Sequence, residues 1–547
     1  MDYKDSFLEI LVNKIKKDRR LEEEVEQGFL EYKLRLDKMD KNSMKKLESQ
    51  MLWRINEGKI YYNNFKAYYV LGINDDGNFG NMTNEIIDKS LENLAKICEG
   101  ACVKADYVFK YNYEKDFTIA IIIVKKILEK HLPELNIFLL GNTNTGKTTF
   151  LGNLCYDTIN DNNGKSKLLI LKHKHEIHSG KTSSIHHEII GIREQDREII
   201  NYRNSTLDFN NSWDSIYNKS DIIINIFDSP GDSKFIKTTY SNILNINPEI
   251  ILIFINHEDL INDKNGIMHK IKLCTFLEKK FYLVFLEDKP EENFDLNNIK
   301  ELNNFLKKND MIYNFVDLNK GHIINSNNIY YYILNNNKRE SLNKFKDIFT
   351  DILLNNNKKG IYNIKDTKTC FDIYEIFDIP NFNKNTIISG KLISGEIETN
   401  SDYYINFTKI KVINIHNKNI DCDKLYAGET GCLEVKFIDK ININKNMTIH
   451  NDIENIITKT HINILIKKSG QLKNYYEALQ KNKIDEVYIN FKFLNSNLLI
   501  EEKVINDDNI ILKLKYNNKI FINTIELPIN NKILVKIGDM QLFGTYF

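Results

Sequence analysis

The chain has 547 residues, enough for several domains with cores of their own. Its 75 basic and 75 acidic side chains cancel, so whole-chain charge gives no reason to expect nucleic-acid binding, and any RNA contact must use a local basic face. The 7 cysteines are scattered and odd in number, and only Cys98 and Cys102 are close; with no second Cys or His pair at zinc spacing they read as reduced, buried thiols of a cytoplasmic protein, with neither a disulfide frame nor a metal site.

Residues 1–60 are charged, with Leu30, Leu34, Leu36, Met39, Leu47 and Met51 at helical spacing. The N-terminus begins on charged residues and lacks the apolar core of a signal peptide. The basic run Lys14–Arg20 is followed at once by Glu22–Glu24 and reads as a solvated helix face. A strand over Lys66–Asn74 turns at Asp75-Asp76-Gly77, and a helix from Asn84 to Glu99 carries Ile87, Leu91, Leu94 and Ile97 on one face. Asp106–Tyr111 and Thr118–Val124 read as further strands. Residues 1–133 are therefore expected to form a small α+β extension.

From Leu135 strands alternate with helix-length segments. Ile137–Leu140, Ile222–Phe227, Ile250–Ile255, Phe281–Leu286 and a short last strand at Ile323–Asn325 are apolar, which predicts a mostly parallel sheet with helices on both faces over residues 134–355. None of these runs is long enough to cross a bilayer, and no membrane association is expected. After an Asn-rich linker at Asn355–Asn357 the helices stop. Short strands of alternating polarity, punctuated by glycine, predict two antiparallel β-barrels over 365–452 and 458–547.

Gly141-Asn142-Thr143-Asn144-Thr145-Gly146-Lys147-Thr148 fits G-x-x-x-x-G-K-[ST] between an apolar strand and a helix, the context a P-loop requires. In such a loop Gly141, Asn144, Thr145, Gly146, Lys147, Thr148 and Thr149 wrap phosphates. The glycines let successive N–H groups point at the β-phosphate, the helix N-terminus adds a favourable dipole, Lys147 neutralises charge, and the Thr148 hydroxyl ligates Mg²⁺. Asp228-Ser229-Pro230-Gly231 ends the strand Ile222–Phe227. There Asp228 can hold Mg²⁺ through water, and the Gly231 amide can reach a γ-phosphate. Between the two lies Ser179–Ser184; from chemistry alone any of its hydroxyl residues could complete the metal shell, or none.

Leu171-Lys172-His173-Lys174-His175-Glu176-Ile177-His178-Ser179-Gly180-Lys181-Thr182-Ser183-Ser184 resembles the switch I segment of the "GTP-binding protein 1 and 2" group, relatives of elongation factors Tu and 1-alpha. Glu31–Leu34 and Gln50–Gly58 resemble that group's N-terminal extension. Asp372–Pro380 with Thr386–Gly390 resembles its second-domain barrel, and Gly538–Gly544 the end of its third. The resemblance covers nearly the whole chain. It implies a P-loop G domain followed by two β-barrels, GTP and Mg²⁺ as ligands, and Thr182 as the switch I threonine that senses γ-phosphate and metal. It also implies ribosome and tRNA as partners, with mRNA-decay factors as further ones. The chain is expected to be a cytoplasmic monomer engaged in protein biosynthesis.

Two positions depart from that pattern. Asp232 stands where the group has a histidine that orients the attacking water. A carboxylate there repels both the γ-phosphate and ribosomal RNA, so impaired hydrolysis is expected over a substituted mechanism. Where the group reads guanine with [NTS]-K-x-D, this chain has Leu286-Glu287-Asp288-Lys289, and a lysine has no acceptor for guanine N1–H. Asp288 is the candidate substitute acceptor, and Ser326 the base contact in a loop after the last strand. Asn256-His257-Glu258-Asp259 has suggestive letters but follows the preceding strand and reads as a loop. The histidines from His173 to His187 read as surface or packing residues rather than a metal site. Two readings follow: a translation factor-like GTPase working through a GTP·Mg²⁺ switch, or a catalytically weak nucleotide-binding adaptor for ribosome, RNA or decay partners. Relaxed base choice is a third.

Overall fold

In the computed structural model the described residues are 6–546, except 26, 63–65, 102, 115, 127–130, 160–163, 172, 181, 206–211, 236–238, 241, 244–245, 288–295, 310, 321–327, 358–367, 378–384, 406, 419, 438–442, 444–446, 454–455, 468–482, 490–491, 506–508, 524–531 and 538–539. The chain separates into two compact units, residues 1–129 with 419–422, and residues 130–418 with 423–547.

The first unit has helices α1 (Ser6–Asp18), α2 (Lys41–Tyr62) and α3 (Asn84–Gly100) and strands β1 (Leu30–Lys33), β2 (Lys66–Leu71), β3 (Val103–Glu114) and β4 (Phe117–Lys126). The sheet order is β1-β2-β4-β3, with β1 parallel to β2 and the other pairs antiparallel. The helical reading of residues 1–60 is corrected at β1. Tertiary pairing with β2 overrides the local spacing, because it buries Tyr32 and Glu31. Glu31 is fully buried yet satisfied: Arg54 Nε donates to Oε2 at 2.5 Å and Gln50 Nε2 to Oε1 at 2.6 Å. The two N-terminal segments that resemble one group thus meet in one polar cluster within a core of Tyr68, Tyr69, Met51, Ile55 and Leu71.

The second unit opens with β5 (Glu134–Gly141) and α4 (Lys147–Tyr156), followed by short helices α5 (Lys165–Leu168) and α6 (Lys174–Ser179). Strands β6 (His186–Arg193), β7 (Glu198–Ile200), β8 (Ile222–Asp228), β9 (Ile250–Ile255), β10 (Lys280–Leu286), β11 (Asn314–Asp317) and β12 (Asn328–Leu334) complete a mixed sheet of order β11-β12-β10-β9-β5-β8-β6-β7. The pairs from β11 to β8 are parallel; β6 runs antiparallel to both β8 and β7. Every residue of β5, β8 and β9 is buried, as expected for strands covered on both faces. The strand expected at Ile323–Asn325 lies outside the described residues, and the last parallel strand described is β12. Asn355–Asn357 is not a linker: it is the last turn of the helix Arg339–Asn357, whose apolar face places Phe345, Phe349 and Leu353 in the core.

Strands then dominate. Cys370–Phe377, Thr386–Ser394, Thr430–Phe437 and Thr408–Asn417 pair antiparallel in that order. Asp402–Ile405 pairs with Thr408–Asn417 on one side and Thr448–His450 on the other, and Thr448–His450 pairs back on Cys370–Phe377. The C-terminal strands form a closed six-stranded barrel in the order Ile456–Lys467, Asn509–Asn523, Lys492–Ile505, Lys483–Ile489, Lys532–Ile537, Met540–Tyr546. Closure removes the exposed strand edges.

A buried ion pair joins the parallel sheet to the strands that follow it. Lys418 Nζ donates to Glu134 Oε1 at 2.8 Å, and Thr430 Oγ1 donates to Glu134 Oε2 at 2.8 Å. Both charged side chains are almost completely buried, and Asn225 Nδ2 donates a further bond to Glu134 Oε2 at 2.7 Å.

Candidate functional site

The strand β5 ends at the glycine that opens the phosphate loop. Asn144 (φ 64°) and Gly146 (φ 72°) both take the left-handed conformation, which turns the backbone between β5 and α4. The Thr145 hydroxyl pins the loop by donating to Asn142 O at 2.8 Å. Lys147 is buried, and its ammonium donates to Gly141 O at 2.9 Å and Asn142 O at 2.8 Å. Burial pushes its pKa down to about 8, against the pull of the Asp228 carboxylate.

Three elements converge beside it. The Thr148 hydroxyl donates to Asp228 Oδ2 at 2.5 Å and lies 2.9 Å from the Thr182 hydroxyl. Asp228 is fully buried at the end of β8; burial raises its pKa despite Lys147 and Thr148. Its other oxygen, Oδ1, has no hydrogen-bond partner among the described residues. An unpaired buried carboxylate oxygen next to two hydroxyls is an all-oxygen donor set that fits a hard divalent cation such as Mg²⁺. Gly231 presses on the loop from the other side: an added Cβ would come within 2.5 Å of Asn142 O and Thr143 N. Together Gly146, Lys147, Thr148, Thr182 and Gly231 line a pocket of about 370 Å³, with Leu286 at the end of β10 lining it beside Gly146.

The segment carrying Thr182 is anchored by Glu176, which sequence reading passed over. Its Oε1 accepts from Ser183 N (2.7 Å), Ser183 Oγ (2.8 Å), Ser184 N (3.1 Å) and Ser184 Oγ (3.1 Å), and its Oε2 lies 3.1 Å from His186 Nε2. Burial alone would raise the Glu176 pKa, but these donors and His186 bring it down to about 2. Of the histidines, His186 is buried against Glu176 and the His187 ring stacks on Phe227 with centroids 4.4 Å apart, while His173, His175 and His178 are exposed. Among the described residues no cluster of three or more His, Cys, Asp or Glu is placed to hold a metal.

The base-reading positions come out differently. Asp288, Lys289 and Ser326 lie outside the described residues. The loop that follows β12 is Asn335–Lys338, and it reaches the site: Asn336 is buried, its Nδ2 donates to Gly146 O at 3.4 Å, and Asn153 Nδ2 donates to Asn336 O at 3.0 Å. The Glu287 amide donates to Leu334 O at 2.9 Å, which holds the ends of β10 and β12 together. The signal was present as three asparagines after the apolar run Ile329–Leu334, a run that was not read as a strand from sequence.

Asn256–Asp259 is not a loop but the start of a helix, His257–Asn262. Asn256 Oδ1 accepts from Asp259 N at 2.8 Å and Asp259 reciprocates, a capping box that the letters N-x-x-D encode. It borders the phosphate loop, with Asn256 Nδ2 donating to Asn144 O at 3.5 Å. A second cavity of about 660 Å³ lies on that side, lined by Asn142, Asp232, Glu258, Asp259 and Lys270. Asp232 forms an ion pair with Lys234 at 3.2 Å.

A phosphate loop on an eight-stranded mixed sheet, with an aspartate and a threonine from a separate segment meeting its first helical turn, is the arrangement of an EF-Tu-like G domain. Residues 132–315 match the family described as "Elongation factor Tu GTP binding domain". The chain is a distant homologue of the GTP-binding proteins 1 and 2. It is 26% identical over 453 residues to GTP-binding protein 2 of Homo sapiens, covering 78% of this chain and 72% of that protein. It is 24% identical over 429 residues to GTP-binding protein 1 of Xenopus laevis, covering 73% and 61%. Among solved structures, the S. cerevisiae Ski7 GTPase-like domain bound to GTP aligns with a TM-score of 0.55 at 16% identity, over 76% of this chain and 98% of that one. A bacterial selenocysteine-specific elongation factor, EF-Sec, aligns with a TM-score of 0.50 at 14% identity, over 76% and 58%. At these identities the structural likeness speaks for the fold. Among the described residues no helix is long and apolar enough to cross a membrane.

Proposed function

We propose that this protein is a GTP·Mg²⁺ switch of the translation-factor kind that acts on tRNA at the ribosome and hydrolyses GTP weakly. The observation that carries the proposal is the meeting of Thr148, Asp228 and Thr182 beside the buried Lys147. Gly141, Asn144, Thr145, Gly146 and Thr149 would wrap the phosphates with backbone and hydroxyl donors, and Lys147 would neutralise their charge. Thr148 and Thr182, with Asp228 through water, would hold Mg²⁺, which when bound would supply positive charge to offset that of the phosphates. Gly231 would follow the γ-phosphate with switch II. On the base side Asp288 and Ser326 remain candidates from sequence, and Asn336 joins them from geometry.

The same reading divides the chain into residues 1–133, a G domain at 134–355, and barrels at 365–452 and 458–547. The ring of pairings among the strands from Cys370 to His450 supports the first barrel. A cytoplasmic monomer with ribosome and decay-factor partners completes it.

A specific observation favours the second reading, a weakly catalytic adaptor. Asp232 occupies the hydrolytic position and its carboxylate is engaged by Lys234, so it is poorly disposed to orient a water. Single-turnover hydrolysis with and without ribosomes separates the two. Strong ribosome stimulation supports the switch that cycles; nucleotide and ribosome binding without stimulated hydrolysis supports the adaptor.

A further inference from the structure

The phosphate pocket holds a second lysine that no motif contains. Lys167 lies on α5, between α4 and the Thr182 segment. Gly152 in α4 makes this possible, since an added Cβ would come within 2.0 Å of Ser166 O, so only glycine lets the α5 backbone lie directly on α4. Ser166 is fully buried in that contact, with its hydroxyl 3.1 Å from Thr158 Oγ1. Gly164 (φ 79°) starts the turn, and Leu171 N donates to Lys167 O at 3.2 Å, which fixes the residue from behind. The Lys167 side chain lines the same pocket as Lys147, Thr148 and Thr182. Its ammonium passes over Gly180, 3.5 Å from where a Cβ would stand. It makes no hydrogen bond or ion pair among the described residues. Burial lowers its pKa, and the Asp228 charge offsets part of that.

A half-buried cation without a partner is costly unless an anion arrives to meet it. Lys147 and Lys167 line this pocket together with one exposed carboxylate, Glu258, and two ammonium groups at one site suit a ligand carrying several negative charges. Lys147 is tied to the loop carbonyls; Lys167 reaches over Gly180 in the segment that carries Thr182, which on the GTP reading is the segment that meets the γ-phosphate.

Resting on the GTP reading above, we propose that Lys167 is a triphosphate-selecting residue: its ammonium pairs with the γ-phosphate and favours GTP over GDP. Its carriage on α5 would also bring that helix into the nucleotide response of the Thr182 segment.

The test is titration of the full chain with fluorescent GTP and fluorescent GDP in Mg²⁺, comparing wild type, Lys167→Ala and Lys167→Arg, with melting curves to verify folding. The expected result is a GTP dissociation constant raised about tenfold or more in Lys167→Ala, GDP changed less than about threefold, and recovery in Lys167→Arg, as a charge-assisted pair requires. If wild type binds GTP and Lys167→Ala alters GTP and GDP equally or neither, the role of Lys167 is overturned while the GTP reading stands. If wild type binds neither nucleotide, both are overturned.

Discussion

The hydroxyl of Thr148 donates to Asp228 Oδ2 at 2.5 Å, joining the first turn of α4 to the last residue of β8 across 80 residues of sequence. The contact ties the phosphate loop to the end of β8, and Asp228 Oδ1 stays buried with no hydrogen-bond partner among the described residues. A carboxylate in that state gains when a cation arrives. Replacing Thr148 by Ala removes the hydroxyl and should reduce the Mg²⁺ enhancement of nucleotide affinity by about tenfold or more. A Mg²⁺ titration of GTP binding measures it; an unchanged Mg²⁺ response would remove Thr148 and Asp228 from the metal shell.

Lys147 supplies a pH dependence. Its folded pKa of about 8 lies below the ordinary lysine value of 10.5, so the folded state releases its proton first. Stability carried by this group therefore rises with pH between about 8 and 10.5. Phosphate binding needs the cation, so affinity should fall as pH rises through about 8, by up to about tenfold per unit. Dissociation constants measured from pH 7 to 9 test this, and a flat profile would show that Lys147 keeps its proton without ligand.

Glu176 holds Ser183, Ser184 and His186 and so sets where Thr182 lies. Glu176→Ala leaves the half-buried donors of Ser183 and Ser184 unsatisfied and should cost about 1–3 kcal/mol in denaturant unfolding, together with the GTP-over-GDP preference. Its depressed pKa places its stabilisation above the ordinary value of 4.5, lost as pH falls towards about 2. A variant with wild-type stability would mean that the Thr182 segment is held by other contacts.

The Glu134–Lys418 pair predicts an asymmetry. Lys418→Met leaves a buried carboxylate without its cation and should destabilise by about 3–5 kcal/mol, whereas adding Glu134→Gln should restore much of the loss. Urea unfolding of both single variants and the double variant gives the coupling; additive effects would place the pair in solvent.

The phosphate half of the site was legible in the sequence because its chemistry is local. One strand, one glycine-rich loop and one helix supply Gly141–Thr149, and spacing alone finds them. Asp228 and Gly231 were legible for the same reason, at the end of an unmistakably apolar strand. The strand Leu30–Lys33 was not, since it is held by pairing with β2 and by the Glu31–Arg54 ion pair, both remote in sequence. Asn336 was missed because the run Tyr330–Tyr332 was not read as a strand, so the loop after it was not considered. Glu176 and Lys167 belong to no motif; only the folded segment shows that one collects the switch donors and the other faces the pocket.

The central claim is a GTP-selective switch built on Lys147 despite a base-reading sequence that has lost its usual lysine and aspartate. Titration of the purified chain with fluorescent GTP and Mg²⁺, competed by unlabelled GTP, GDP and ATP and repeated with Lys147→Ala, tests it most directly. The account predicts that GTP competes far better than ATP and that Lys147→Ala abolishes binding. Equal competition by ATP, or no binding at all, would contradict it and leave a multidomain binding module that keeps the shape of a GTPase without its switch.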